Sequence, residues 1–280
     1  MSDKPTTRAG YGAHFVSLIQ STTLYLATKL GDYLDDLVVV GGLVPTLLVP
    51  PLSLPEGVDA HVGTVDLDLG FHLAILDEER YRALTDQLRR AGFAPDTNAK
   101  GKLTRQRWQI QGAEKITVDF LIPPPVEKEA QAGKLQPIEA DFAALIIPGL
   151  ELAFRDRRKV TITGTTLFGE KATREIWVCG PGAYIVLKAL AFRNRGENKD
   201  AYDLYYLVRN YGSGVADVVA HLRPLLDSER AQQALQILRE DFSEPDGVGP
   251  MRVSMFLESD RNEEILADVS GFIINLLELI

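Results

Sequence analysis

Cysteine is almost absent from this 280-residue chain, where Cys179 stands alone. A single thiol excludes an intramolecular disulfide and a cysteine-based metal site, and it fits a reducing cytoplasm. Histidine is nearly as scarce. His14, His61, His72 and His221 show no metal-ligand spacing, which leaves a zinc site without support. His61 and His72 flank the segment around Asp66 and Asp68, with His72 four residues beyond Asp68 and so on the same strand face. No Gly-x-Gly-x-x-Gly fingerprint and no serine-centred elbow occurs, so dinucleotide-binding and α/β-hydrolase readings lack support. A long unbroken apolar helix is missing as well. The most apolar stretch, Leu37–Leu54, contains Gly41, Gly42, Pro45, Pro50 and Pro51. Proline inside a helix costs ~3 kcal/mol, so this stretch reads as a buried strand followed by a turn and loop, not as a membrane span. Met1–Arg8 has no apolar run behind its charges, and no signal peptide is expected.

Basic charge is also in deficit, with a formal net charge of −9. Taken alone this argues against nucleic acid, because phosphate contacts need Lys and Arg. The deficit is local. Residues 213–280 carry 13 Asp+Glu, 5 Arg and no Lys, a net of −8, which leaves −1 for residues 1–212.

What is present reads as a succession of elements. Phe15, Leu18, Ile19, Leu26 and Leu30 recur with a helical period over 13–30. Leu37–Val40 is a β-branched strand ended by glycines. Residues 49–63 form a Pro- and Gly-rich inserted loop. Thr64–Leu73 alternates, so one strand face is polar. A helix follows over 77–91, then a hairpin of Thr104–Gln111 and Lys115–Ile122 around Gly112-Ala113. Residues 126–142 read as loop, and strands are expected at Leu150–Phe154, Lys159–Thr163 and Glu175–Val178. Beyond Gly180 only helices are expected, at 183–192, 199–210, 215–226, 229–241 and 262–279. The fold class is α+β, with a domain over 1–179 built on a sheet with flanking helices and a helical domain over 180–280.

The chemistry concentrates in a few residues. Asp66 and Asp68, two apart on a strand, project from one face. Two adjacent carboxylates repel unless a cation is present, and oxygen-only ligation suits Mg²⁺ or Mn²⁺. The same pattern also fits a solvated strand face. Gly41 and Gly42, after the Val38–Val40 run, allow a close backbone approach to a phosphate or simply a tight turn. Asp119, with Val118 and Phe120 turned to the opposite face, either pairs with a cation or completes a three-carboxylate cluster able to hold metal for in-line displacement at phosphorus.

A hydrophobic strand ending in Gly41-Gly42, then Thr64-x-Asp66-x-Asp68, then Asp119 on a later strand resembles the nucleotidyltransferase superfamily with its polymerase-beta-like mixed-sheet fold. The resemblance implies that Asp66, Asp68 and Asp119 bind divalent metal, that Gly41, Gly42 and Thr64 contact the NTP, and that Asp119 assists the attacking hydroxyl. The 24 positions from Gly42 to Asp66 exceed the usual dozen or so, and the 49–63 insertion accounts for the excess. Further on, Lys188 through Arg193, Arg195, Lys199, Asp200 and Asp203 is similar to the helical signature of AbiEii-like toxin nucleotidyltransferases of type IV toxin–antitoxin systems. That likeness implies catalysis by Lys188 and NTP binding by Lys188, Arg193, Arg195, Lys199, Asp200 and Asp203. It also implies an RNA acceptor of the tRNA class, a separately encoded antitoxin and a cytoplasmic, non-membrane enzyme. An interdomain salt-bridge network is the bland reading of the same residues. Two basic stretches fit an RNA acceptor, net +6 over 80–107 with Trp108 adjoining and net +4 over 155–174. They also fit ordinary solvated faces. A small-molecule nucleotidyltransferase and a non-catalytic nucleotide- or partner-binding module are the alternatives.

Overall fold

The computed structural model describes residues 5–71, 78–98, 100–110, 116–124, 133–138 and 141–280. In chain order the first elements are α1 (Ala13–Leu30), β1 (Leu37–Val40), α2 (Val44–Leu48), β2 (Asp66–Phe71), α3 (Glu78–Arg90) and β3 (Phe93–Thr97). Next come β4 (Leu103–Ile110), β5 (Ile116–Ile122), β6 (Leu135–Pro137), β7 (Ala143–Ile146), α4 (Leu152–Arg155), β8 (Arg157–Thr165) and β9 (Lys171–Cys179). Helices complete the chain: α5 (Pro181–Arg195), α6 (Asn198–Asn210), α7 (Val215–Leu222), α8 (Glu229–Phe242), α9 (Val248–Glu258) and α10 (Glu263–Glu278). The protein is a mixed α+β chain, and among the described residues no helix is long and apolar enough to cross a membrane.

Two compact units emerge. The sheet unit takes His14–Leu43 and Thr64–Cys179, and the helical unit takes Met1–Ala13, Val44–Gly63 and Gly180–Ile280. The chain thus leaves the sheet unit after Leu43 and returns at Thr64, and this excursion accounts for the long spacing between Gly42 and Asp66.

In the sheet unit the strand order is β3-β4-β5-β2-β1-β9-β8, with β7 pairing β5 and β6 pairing β7. The sheet is mixed: β2 runs parallel to β5 and antiparallel to β1. All four residues of β1 are buried, as a continuous apolar run requires. Trp108, Phe71, Phe93, Phe120 and Phe142 form an aromatic core behind the sheet, with most ring pairs tilted or edge-on. On α1, Ile19, Leu26 and Leu30 are buried, and the buried hydroxyls of Thr22 and Thr23 donate to the carbonyls of Leu18 and Ile19.

Four elements differ from the sequence expectation. Leu150–Phe154 is no strand, since Leu152–Arg155 makes a helical turn instead. Short apolar runs carry no usable period, and Gly149 at φ 85° turns the chain into it. Leu135–Pro137, expected as loop, pairs with β7. β3 was hidden by Pro95, which lacks an amide donor and sits on an edge strand where the register shifts. α9 was hidden by Gly249 and Pro250, both in its first turn, where a missing N–H does no harm. The expected turn at Gly112-Ala113 and His72 lie outside the described residues.

In the helical unit, Pro181 opens α5 and Gly196, at φ 64°, closes it. Gly182 is dictated by packing, because a Cβ there would lie 2.5 Å from the backbone of His221. Leu204, Leu207, Leu238, Phe242, Phe256, Leu266 and Ile273 are all buried in this unit.

Candidate functional site

β2 and β5 lie side by side, parallel, with Asp68 in register with Asp119. Asp66 precedes Asp68 by two residues and shares its face. Leu67, Leu69, Val118 and Phe120 fill the core on the other face. One oxygen from each of Asp66, Asp68 and Asp119 lies within 4.8 Å of the others. Parallel pairing therefore brings together three carboxylates that the sequence separates by 53 positions.

The neighbouring residues hold these carboxylates. Val40, the last residue of β1, pairs with Asp68, and the chain then turns at Gly41 with φ 72°. A Cβ on Gly41 would lie 1.9 Å from Asp68 Oδ2. Glycine is required there by its backbone conformation and by the space the Asp68 carboxylate occupies. Gly42 follows, buried, in the same tight turn. Thr64 is buried and its Oγ1 donates to Asp66 Oδ1 at 2.9 Å, which fixes that carboxylate from its own strand entry.

Arg107 joins the cluster. β4 pairs antiparallel with β5 so that Arg107 stands opposite Asp119. Its Nε donates to Asp119 Oδ1 at 2.7 Å and its Nη2 to Oδ2 at 2.5 Å, a forked pair that engages both oxygens. The same Nη2 lies 3.9 Å from Asp66 Oδ2. The hydrogen bonds that Arg107 donates to Asp119, and then the charges of Asp119, Asp66 and Asp68, outweigh burial and raise the guanidinium pKa. The sequence had grouped Arg107 with a basic surface and Trp108 with base stacking. Strand alternation separates them: Arg107 turns to the carboxylates, and Trp108, 0% exposed, packs in the core against Phe142 at 5.5 Å. Trp108 is therefore unavailable to a nucleotide base.

The donor set consists of three converging carboxylates, with one guanidinium beside them. That chemistry fits a hard divalent cation such as Mg²⁺ or Mn²⁺.

The second set of sequence candidates lies within the helical unit. Lys188 on α5 is buried, and its Nζ donates to Asp200 Oδ1 at 2.8 Å and to Asp203 Oδ2 at 2.7 Å. Burial opposes its charge, but the two carboxylates prevail and its pKa is raised. Lys199, one turn before Asp203 on α6, donates to Asp203 Oδ1. Burial dominates there and lowers the Lys199 pKa. Arg195 forks onto Asp200 at 2.5 and 2.8 Å. Arg193 instead turns to Glu240 and Asp241, at 2.7 and 2.8 Å. These residues form a salt-bridge network inside one unit.

His61 completes that network, and sequence reasoning missed it. It is buried, and its Nε2 lies 2.8 Å from Asp203 Oδ1. The Gly63 amide donates to Nδ1 at 3.1 Å, and Thr46 Oγ1 lies 3.0 Å from it. Nδ1 is therefore the acceptor and Nε2 carries the proton, so the ring is neutral. Burial, and then the charge of Lys199, lower its pKa to about 4. Tyr202 stacks on the ring at 5.3 Å and Tyr206 meets it edge-on at 4.9 Å. The inserted loop is thus anchored in the helical unit by its histidine.

No family profile and no curated protein matches the chain. Among solved structures, an antigenic nucleotidyltransferase-like protein from Paracoccidioides brasiliensis is similar at 19% identity, over 81% of this chain and 88% of that one, with a TM-score of 0.47. A superposition that loose decides nothing about this chain.

Proposed function

We propose that the protein is a metal-dependent nucleotidyltransferase. The observation that carries this reading is the Asp66–Asp68–Asp119 cluster, assembled by the β2–β5 register and packed against the turn at Gly41. Asp66 and Asp68 would hold a divalent cation, with Asp119 beside them, and a cation bound there would offset the charge developing on a transferred phosphoryl group. An acceptor hydroxyl attacks the α-phosphorus of an NTP as the bond to pyrophosphate breaks. The bonding pair leaves with pyrophosphate, and the hydroxyl proton passes to Asp119. Gly41, Gly42 and Thr64 are proposed to seat the nucleotide.

The proposed acceptor is RNA, of the tRNA class that the sequence resemblance implies, in a toxin countered by a separate antitoxin. The β8–β9 hairpin supports an RNA acceptor. Arg157 lies 4.1 Å over the Trp177 ring and Lys159 lies 5.2 Å from it, a basic–aromatic pairing suited to a polynucleotide. Incubation with each labelled NTP, Mg²⁺ and total RNA tests the proposal. Label should enter RNA and be lost with Asp68→Asn. Absence of product with any acceptor would overturn the reading, and label on a small molecule alone would overturn the RNA part.

A further inference from the structure

We propose that Arg107 is a resident counter-ion that controls metal loading, a positioning residue acting through Asp119. This inference rests on the metal-dependent reading above.

Both Asp119 oxygens accept from the Arg107 fork, at 2.7 and 2.5 Å, while the same guanidinium reaches to 3.9 Å from Asp66. Three converging carboxylates repel one another, and a partly buried cation at their edge relieves that repulsion. Arg107 and a divalent ion therefore perform the same electrostatic task on the same oxygens. A metal that uses Asp119 must take an oxygen from the guanidinium, and Asp119 can accept a substrate proton only when the fork lets go of one oxygen. Arginine thus holds both oxygens of the third carboxylate of the cluster in reserve. The Arg107 side chain is 25% exposed, so the guanidinium has a solvent-facing way out once displaced. Arginine suits this role better than lysine, because its planar fork occupies both oxygens at once and never loses its charge.

Mn²⁺ titration followed by electron paramagnetic resonance, with thermal melts in parallel, tests this on the full-length protein. Wild type, Arg107→Gln, Arg107→Lys, Asp119→Asn, Arg107→Gln/Asp119→Asn and Asp68→Asn are compared after circular dichroism confirms the fold. Removing the competing charge should tighten Mn²⁺ binding by roughly tenfold or more in Arg107→Gln, with Arg107→Lys intermediate. Mn²⁺ should also raise the melting temperature of Arg107→Gln more than that of wild type. In the Asp119→Asn background the Arg107 substitution should have much less effect, which a merely structural arginine would not produce. Equal Mn²⁺ affinity in wild type, Arg107→Gln and Arg107→Lys, with binding lost in Asp68→Asn, overturns the counter-ion role and leaves the metal reading standing. Mn²⁺ binding by none of the folded proteins overturns both.

Discussion

The two charged clusters of this protein use the same residue types to opposite ends. In the sheet unit, Asp66, Asp68 and Asp119 converge within 4.8 Å and meet the Arg107 fork. In the helical unit, Asp200 and Asp203 are wrapped by Lys188, Lys199, Arg195 and neutral His61. The first cluster has an excess of acid on a strand face and so fits an added cation. The second distributes its charges over internal partners and holds α5, α6 and the 44–63 segment together. Carboxylates that converge on one strand face suit a divalent cation, whereas carboxylates wrapped by buried cations hold a fold together.

The largest expected effect comes from breaking the compensated cluster. Asp203 is 0% exposed, and burial is overcome by Lys188, Lys199 and His61, which hold its pKa far below the ordinary value. Asp203→Asn should cost about 3–5 kcal/mol, because two buried ammonium groups lose a partner. Urea denaturation followed by circular dichroism measures it, and a loss below about 1 kcal/mol would contradict the account. Asp68→Asn should behave in the reverse way. Stability should hold, since a repulsive charge is removed, while nucleotidyl transfer should fall by about a hundredfold or more. Melting curves and single-turnover assays together test that contrast.

Gly41→Ala addresses the shape of the carboxylate cluster in the sheet unit. The new Cβ would sit 1.9 Å from Asp68 Oδ2 at φ 72°. A loss of about 1–3 kcal/mol is expected, with weakened Mn²⁺ binding as Asp68 is displaced. An effect of similar size, spread over a pH window, is expected from the cluster in the helical unit. The folded-state pKa of His61 is lowered from 6.5 to about 4. The unfolded chain therefore takes up a proton that the folded one refuses, and stability is lost as pH falls from about 6.5 towards 4. That loss should be on the order of 2 kcal/mol and should flatten in His61→Gln, read as the difference between the two unfolding free energies across the window. Parallel curves for the two proteins would refute it.

Much of the carboxylate cluster was legible in the sequence. Alternation in Thr64–Leu73 and Ile116–Ile122 placed Asp66, Asp68 and Asp119 on polar strand faces, because one strand face must be buried. Arg107 was hidden, although a signal existed. Counting six residues outward from Ala113, in the expected hairpin, lands on Arg107 and Asp119, which do pair. His61 carried no such signal. It sits in a Pro- and Gly-rich loop, and its partner Asp203 is 142 residues away. Trp108 shows the limit from the other side, since a basic neighbourhood in sequence says nothing about which face a strand turns inward.

By itself the sequence determined the local periods: which of the long periodic segments are helices or strands, which faces are polar, and where glycine is compatible with a turn. It also determined that the acidity lies in the last helices and not beside Asp66 and Asp68. Only the tertiary structure decided which strands lie side by side, that the chain leaves the sheet unit between Leu43 and Thr64, and which charges find partners. The physical reason is range. Backbone and side-chain periods act over a few residues, whereas the charge state of Asp119 or Asp203 is set by groups that only folding brings within hydrogen-bonding distance.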